Sequence, residues 1–185
     1  MRTIVSALLA FATLFGLATS ARATDLMNVV TPAPMVYGVD SPLEGFYLGK
    51  FFGAEICGQC APNWEVGKAF GYNWITDGGF VLGVEGRVSV YTWDGDLFDF
   101  GSAFGFARAG FLLGDNVMLY KIGGLGFFFD SSGSSDLFYR IGAGVEVAAT
   151  DNLSIRADVT HLDCVAGPCA PGVNVIEGGF VFHFH

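Results

Sequence analysis

Two cysteines with the spacing of a reactive dithiol lie in the first third of the chain. Cys57 and Cys60 enclose Gly-Gln, and Cys164 and Cys169 form a second close pair near the other end. A Cys-x-x-Cys pair carries out thiol–disulfide exchange in soluble redox proteins, or supplies half of the ligands of a zinc site. Which chemistry applies depends on the compartment that the chain enters and on the elements that carry these residues.

The N-terminus has the features of a secretory signal peptide. Arg2 supplies the positive start, and residues 4–18 are apolar but shorter than the roughly 20 residues of a membrane-spanning helix. Ala21-Arg-Ala23 is a small-x-small cleavage site, so we predict a signal peptide over 1–23 and a mature chain that begins at Thr24. Disulfides persist in exported proteins, which weakens the redox and zinc interpretations of the cysteines.

The mature chain is acidic and rich in glycine and phenylalanine. The full sequence has a formal charge of −9, and removal of Arg2 and Arg22 leaves 7 basic against 18 acidic residues, a charge of −11. Nucleic acid is therefore not an expected partner. Charged residues make up 15% of the sequence, against about 25% in typical soluble domains. Together with 27 Gly and 19 Phe, this composition indicates an apolar surface that faces outward.

Turn signals divide the chain into strands. Residues 24–44 contain three prolines and show no sustained period, so we predict an extended leader there. From Gly45 onward, apolar runs alternate with turns, which is typical of β-strands. The predicted strands cover 45–56, 64–74, 80–91, 100–113, 117–128, 137–149, 153–162 and 173–184.

The connections between these strands alternate in length. Tight turns at 76–79, 114–116 and 150–152 alternate with longer loops at 57–63, 92–99, 129–136 and 163–172. Short turns on one side and longer loops on the other are typical of a transmembrane β-barrel. The predicted fold over 45–185 is therefore all-β, an eight-stranded antiparallel up-and-down transmembrane barrel with both termini on the periplasmic side.

Alternation with period two assigns the two faces of the sheet. In the sixth predicted strand Leu137, Tyr139 and Ile141 alternate with Arg140 and small residues, and the third, seventh and eighth strands repeat the pattern. The polar set faces the interior and holds four cations and four anions: Glu85, Arg87, Arg108, Arg140, Glu146, Arg156, Asp158 and Glu177. Side chains fill the lumen of an eight-stranded barrel, and buried charges persist there only when paired. We therefore expect a plugged barrel rather than an open pore.

Two lysines conflict with this pattern. Simple alternation places Lys50 and Lys68 on the lipid-facing side near the middle of the membrane, where a lysine costs about 2–4 kcal/mol. We expect a bulge or a shift in parity to turn at least one of them toward an acidic partner inside the barrel.

The same alternation also describes a soluble barrel with an apolar interior. Two features argue against that alternative. The polar face is rich in Gly and poor in Lys and Glu, which is unsuited to a solvated surface. The strands are also close to the roughly 9–11 residues that cross a bilayer at a tilt.

Several segments resemble, in the same order, those of one known family. They are Gly45-Phe-Tyr-Leu-Gly49, Gly71-Tyr-Asn-Trp74, Phe80-Val-Leu-Gly-Val-Glu-Gly86, Arg108-Ala-Gly-Phe111, Asp115-Asn-Val-Met-Leu-Tyr120, Gly142-Ala-Gly-Val-Glu146 and Thr150-Asp-Asn-Leu-Ser-Ile-Arg-Ala157. The chain thereby resembles the small outer-membrane β-barrels of the OmpA-like, opacity-protein superfamily. Within that superfamily it is most similar to the alphaproteobacterial surface antigens labelled porin-family proteins. The resemblance implies an integral outer-membrane barrel that contributes to envelope structure and surface interaction without catalysis.

These observations set the functional expectations. We predict no catalytic residue, no cofactor and no metal. The expected partners are outer-membrane lipid and, through the outer loops, host or environmental surface ligands; the oligomeric state is not predicted. The alternatives left open are a narrow, porin-like solute channel and, less favoured, a lipid A-modifying acyl hydrolase.

The hydrolase alternative depends on two short segments. His161-Leu-Asp163 and Pro171-Gly-Val-Asn174 faintly resemble the His-x-Ser signature and the following loop of lipid A deacylases. Asp163 occupies the position of the nucleophile, so acyl transfer would lack an activated hydroxyl group.

The predicted outer loops carry all four cysteines: Cys57, Cys60, Cys164 and Cys169. Closure of a barrel makes its first and last strands neighbours, so the two loops that hold these residues adjoin. Four cysteines allow three pairings, among which the sequence does not choose. We interpret them as disulfides that staple the outer rim, because a zinc site of four thiolates would need protection from oxidation outside the cell.

Overall fold

The computed structural model describes residues 41–56, 63–93, 96–130, 137–165 and 172–184, with the side chains of 92, 93, 96–99 and 130 left out. The predicted signal peptide and residues 24–40 of the predicted leader lie outside these ranges.

Eight strands form one closed antiparallel barrel in which each strand pairs with its neighbour in the chain. The strands are β1 Gly45–Ile56, β2 Asn63–Ile75, β3 Phe80–Trp93, β4 Asp96–Leu113, β5 Val117–Asp130, β6 Leu137–Ala148, β7 Leu153–Cys164 and β8 Val173–Phe184. β1 also pairs with β8, from Phe46 opposite Phe184 to Ile56 opposite Asn174, which closes the sheet. The predicted eight-stranded up-and-down barrel is confirmed. Within the described ranges, no helix is long and apolar enough to cross a membrane.

The turns between β2 and β3 and between β4 and β5 depend on glycine. Gly79 and Gly114 have φ angles of 72° and 66°, in the left-handed region that residues with a side chain rarely adopt. The Gly79 amide donates to the Thr76 carbonyl at 2.8 Å and completes the first of these turns.

The outward face of the barrel is apolar and the inward face is buried. On β1, Phe46, Leu48 and Phe52 are 66%, 54% and 50% exposed, whereas Tyr47 and Phe51 between them are at most 4% exposed. An apolar surface that encircles the molecule is unstable in water and suits contact with hydrocarbon. Trp64 and Trp74 lie on this face near the two ends of β2, where transmembrane barrels carry aromatic girdles.

The end of the predicted leader enters the barrel. Residues 41–44 form a turn rather than an extended segment, with the Glu44 amide donating to the Ser41 carbonyl at 3.0 Å. Leu43 is completely buried and packs in one apolar cluster with Val81 and Met118. The Asn73 side-chain amide donates to the Leu43 carbonyl at 2.9 Å. Leu43 therefore fills the lumen at the end that carries the short turns.

The expected inward turn of Lys50 or Lys68 is wrong. β1 and β2 pair without interruption from Gly45 opposite Asn73 to Glu55 opposite Asn63, and both lysines are exposed on the outer face. A shift by one residue turns every side chain of a strand to the other face. Such a shift in β1 would expose Glu55 and the inward aromatic residues, so keeping one lysine outside costs less.

The structure describes one of the four predicted disulfide residues. Cys164 is the last residue of β7, and no described cysteine has a free thiol. Cys57, Cys60 and Cys169 lie outside the described residues, so the pairing stays a prediction.

Candidate functional site

The eight charged residues predicted for the interior all face the lumen, and none is more than 4% exposed. Strand alternation places each of them inward because its neighbours in sequence face lipid. They form the most distinctive polar arrangement in the described part of the chain, and we treat it as the candidate functional site.

Glu85 of β3 lies at the centre of this arrangement. Its carboxylate accepts hydrogen bonds from the Arg87 Nε and, at 2.5 Å, from the Arg156 Nη1. The Tyr47 hydroxyl donates to Glu85 Oε2 at 2.6 Å, and Arg108 Nη1 lies 3.6 Å from the same oxygen. Three arginines from three strands therefore share one buried carboxylate.

Arg87 connects the strands on opposite sides of the lumen. From β3 its Nη1 donates to Glu177 of β8 at 2.7 Å, and its Nη2 donates to Asp158 of β7 at 2.8 Å. Asp158 also accepts a hydrogen bond from the Tyr120 hydroxyl of β5. We refer to Glu85, Arg87, Arg156, Asp158 and Glu177 as the charged cluster.

The network continues toward the end with the short turns. Arg108 Nη2 donates to Glu146 Oε2 at 2.9 Å. The other carboxylate oxygen of Glu146 accepts from the Ser154 hydroxyl at 2.6 Å and lies 2.9 Å from His183 Nε2. His183 is completely buried, so the imidazole belongs to the interior network.

At the end with the longer loops, Arg140 joins two carboxylates. Its Nη2 lies 2.5 Å from Glu177 and its Nη1 lies 3.5 Å from Glu65, while its Nε donates to the Thr160 hydroxyl at 2.7 Å. Glu65 was absent from the predicted interior set. The alternation of β2, which places Gly67 and Asn73 inward, also places Glu65 inward and was the signal that could have found it.

The predicted balance of four cations and four anions is therefore wrong. Glu65, at 1% exposed, and Glu55, at 8% exposed, add two carboxylates to the lumen. Glu55 accepts a hydrogen bond from the Asn63 side-chain amide at 3.0 Å. The described interior is richer in acidic groups than predicted, mainly at the end with the longer loops.

A second set of side chains fills the lumen beside these charges. Phe104 and Phe106 of β4 stack at 5.6 Å, and Phe128 of β5 meets Phe138 of β6 edge to face at 4.8 Å. We refer to these four residues as the aromatic cluster. Tyr91 of β3 is 1% exposed in the lumen and stacks on Phe100 at 4.7 Å.

Glycines provide the space in which the larger inward side chains lie. A Cβ atom at Gly144 would overlap Asp158 Oδ1 and the Tyr120 hydroxyl, and a Cβ atom at Gly71 would overlap the Tyr47 ring. These glycines thus make room for large inward side chains on the strands directly beside them. A solute would have to displace these contacts to pass through the described part of the lumen.

The interior Ser154, His183 and Glu146 do not form a catalytic triad. A triad uses one imidazole nitrogen toward the serine and the other toward the acid. Here His183 Nε2 faces both Ser154 Oγ, at 3.1 Å, and Glu146, and Nδ1 has no partner among the described residues. All three side chains are completely buried, so no substrate reaches them.

The residues of the hydrolase alternative lie on the outer face of β7 and β8. His161 Nδ1 lies 3.2 Å from the Asn174 side-chain oxygen, and Gly172 lies beside the His161 ring. Asp163 follows on the same face and accepts a hydrogen bond from the Cys164 amide at 2.8 Å. The cluster brings together an imidazole, an amide and a carboxylate but no hydroxyl nucleophile. The described residues include no group of three His, Cys, Asp or Glu side chains placed to hold a metal.

Solved structures of low sequence similarity have the same fold. The N-terminal β-barrel domain of Pseudomonas aeruginosa OprF has a TM-score of 0.54 at 16% identity, with 76% of this chain and 98% of that one covered. Neisserial surface protein A has a TM-score of 0.52 at 18% identity over 76% and 98% of the two chains. The outer membrane enzyme PagL has a TM-score of 0.50 at 18% identity over 75% and 99%.

No protein-family model and no curated protein matches the sequence of the chain. At identities this low, the structural likeness shows the fold. The chain has the fold of a small transmembrane β-barrel.

Proposed function

We propose that the chain is an integral outer-membrane β-barrel without enzymatic activity, exported by a cleaved signal peptide over 1–23. It contributes to envelope structure and, through its outer loops, to contacts at the cell surface. The observation that carries this proposal is the difference in polarity between the outer and inner faces of the barrel. The outer face is a mainly apolar belt, while ion pairs such as Arg87 with Glu177 link different strands across the lumen.

The first test is electrophoretic mobility of the outer-membrane fraction before and after boiling. A closed barrel resists detergent until heated, so we expect the unboiled protein to migrate differently from the boiled protein. A chain that ends before β8 cannot close and serves as the unfolded control. Recovery of the full chain in the soluble periplasm without a heat-dependent shift would contradict the proposal.

A plugged lumen also predicts that the protein does not conduct. Purified protein in a planar bilayer is expected to give no steady current with small ions, because Arg87, Arg140 and Arg108 each contact residues on other strands across the lumen. A reproducible current from the folded protein would favour the narrow-channel alternative.

The contact between His161 and Asn174 gives the hydrolase alternative its one supporting observation. We expect lipid A from cells with and without the protein to have the same mass, because Asp163 stands where a nucleophilic hydroxyl is needed. Loss of an acyl chain that depends on His161 would overturn the non-enzymatic proposal.

We further propose that Cys57, Cys60, Cys164 and Cys169 form two disulfides at the outer rim. Since β1 and β8 are neighbours, bridges between the two loops and local bridges are both compatible with the sheet. A reductant-dependent change in mobility of the boiled protein is expected for bridges between loops. Peptide mapping without reduction would identify local bridges, and four free thiols after export would contradict the proposal.

A further inference from the structure

Lys50 and Lys68 form a pair on the lipid-facing side of the barrel. They are directly opposite each other in the register of β1 and β2, and both side chains are exposed. Lys50 is the sixth of 12 residues in β1, and Lys68 is the sixth of 13 in β2. Two ammonium groups therefore project from adjacent strands near the middle of the apolar belt.

The described part of the protein supplies no counter-charge to this pair. Lys50 and Lys68 make no ion pair or hydrogen bond with any described residue. The strands that carry or flank them contain four described carboxylates, all of which are buried on the inward face: Glu55, Glu65, Glu85 and Glu177. The sheet separates these acidic groups from the two lysines, so none of the described residues provides a counter-ion for the pair.

Both the membrane and the pairing make this arrangement unfavourable without an anion. A charged lysine near the middle of the lipid face destabilises a barrel, and like charges directly opposite each other in a sheet repel. Side chains at opposite positions have Cβ atoms roughly 4.5–5.5 Å apart, and the long stems of both lysines can converge. One tetrahedral anion between the two ammonium groups would relieve both costs.

The surface around the pair suits an amphiphilic anion. Phe52, Phe70 and Phe180 are each at least 50% exposed beside the lysines and offer apolar contact. Gly178 on β8 lies opposite Phe52, and a Cβ atom there would have only the Arg156 carbonyl within 4 Å, at 3.8 Å. The outer face is therefore recessed next to Lys50.

We propose that Lys50 and Lys68 bind the phosphate of an anionic phospholipid whose acyl chains pack against these phenylalanines. The inference rests on the proposed location in a membrane. Two ammonium groups can each contact one of the two non-bridging oxygens of a single phosphate, whereas a glycolipid with two phosphates would leave its second phosphate without a partner at this pair.

Lys121 provides an internal control. It is exposed on the outer face of β5, opposite Ala109 and Ala143, and has no lysine beside it. Replacement of Lys121 removes the same charge from the same face without affecting the pair.

The test is native mass spectrometry of the purified protein in a neutral detergent, with phosphatidylglycerol and phosphatidylcholine added in equal amounts. We expect the protein to retain phosphatidylglycerol, and the double variant Lys50→Met/Lys68→Met to retain about tenfold less, which corresponds to about 1.4 kcal/mol. Lys121→Met is expected to retain the lipid as the unmodified protein does. The heat-dependent mobility shift shows separately that each variant is folded in a barrel, so a failure of lipid binding is distinguishable from a failure of the proposed fold and location.

Four outcomes would overturn the proposal. Equal retention of phosphatidylglycerol by the folded double variant would mean that the pair is not its site. An equal loss in Lys121→Met would indicate a general effect of surface charge. Displacement of phosphatidylglycerol by a diphosphorylated glycolipid at equimolar concentration would assign the site to that lipid, and retention of neither lipid would leave a carboxylate of a membrane partner as the counter-ion.

Discussion

The charged cluster and the aromatic cluster fill the same lumen by different means. In the charged cluster each group forms ion pairs with specific residues on other strands, as Arg87 does with Asp158 and Glu177. In the aromatic cluster rings meet rings, and Phe104 contacts both Phe106 and Phe128 without a polar partner. The two meet where the Arg87 guanidinium lies 5.0 Å from the centre of the Phe106 ring. The charged cluster is therefore specified by complementarity of charge, and the aromatic cluster by volume.

The largest effect should come from a change that keeps shape and removes charge. Glu85→Gln leaves Arg87 and Arg156 facing a neutral amide, and loss of one partner of a buried ion pair typically costs about 3–5 kcal/mol. We expect the unfolding midpoint in urea, measured in detergent micelles, to fall accordingly. Asp77→Asn in the exposed β2–β3 turn is the matched control and should change the free energy of unfolding by less than about 0.5 kcal/mol. An unchanged midpoint for Glu85→Gln would show that charge complementarity does not hold the cluster.

A smaller loss of stability is expected when a methyl group is added to a glycine that large inward side chains contact. Gly144→Ala adds a methyl group in the space occupied by Asp158 and Tyr120, and overpacking of this kind costs about 1–3 kcal/mol. Gly123→Ala on the outer face meets no atom within 4 Å, so its free energy of unfolding should stay near that of the unmodified protein. The same urea titration compares the two variants, and equal midpoints would contradict the assigned contact.

The smallest effect is expected in the aromatic cluster when volume is approximately kept. Phe104→Leu retains an apolar side chain among Phe106 and Phe128, and such exchanges usually cost less than about 1.5 kcal/mol. If urea unfolding shows a loss as large as that of Glu85→Gln, the distinction between the two clusters fails.

Period two was sufficient to place the strands and to sort most inward from outward residues. The predicted strand bounds differ from those observed by at most four residues, at the start of β4. The same pattern could not predict which inward residues contact each other. Arg87 and Glu177 are 90 positions apart, and their contact depends on the register accumulated across the whole sheet. Alternation along one strand predicts which face of the sheet a residue lies on. It does not predict how far along the barrel axis that residue lies.

The lysines show a related limit. The cost of a single lysine in lipid predicted that Lys50 or Lys68 turns inward. The orientation of a strand, however, depends on all of its side chains together. Tyr47, Phe51 and Glu55 are each buried on the inward side of β1, and they outweigh one unfavourable lysine. Leu43 was missed for a different reason, since a prolyl segment without periodicity does not indicate that one of its residues fills the lumen.

The pairing of β1 with β8 has a consequence for how the barrel is made. Phe46 and Phe184 lie opposite each other at the two ends of the sheet, so the last hydrogen-bonded ladder forms between segments that are among the farthest apart in the chain. Before that ladder forms, β1 and β8 both present open edges, which attract other chains in water and are not tolerated in hydrocarbon. Contacts of such long range also slow folding. Biogenesis of this protein therefore requires that the open edges be shielded from the time β1 is available for pairing until β8 arrives.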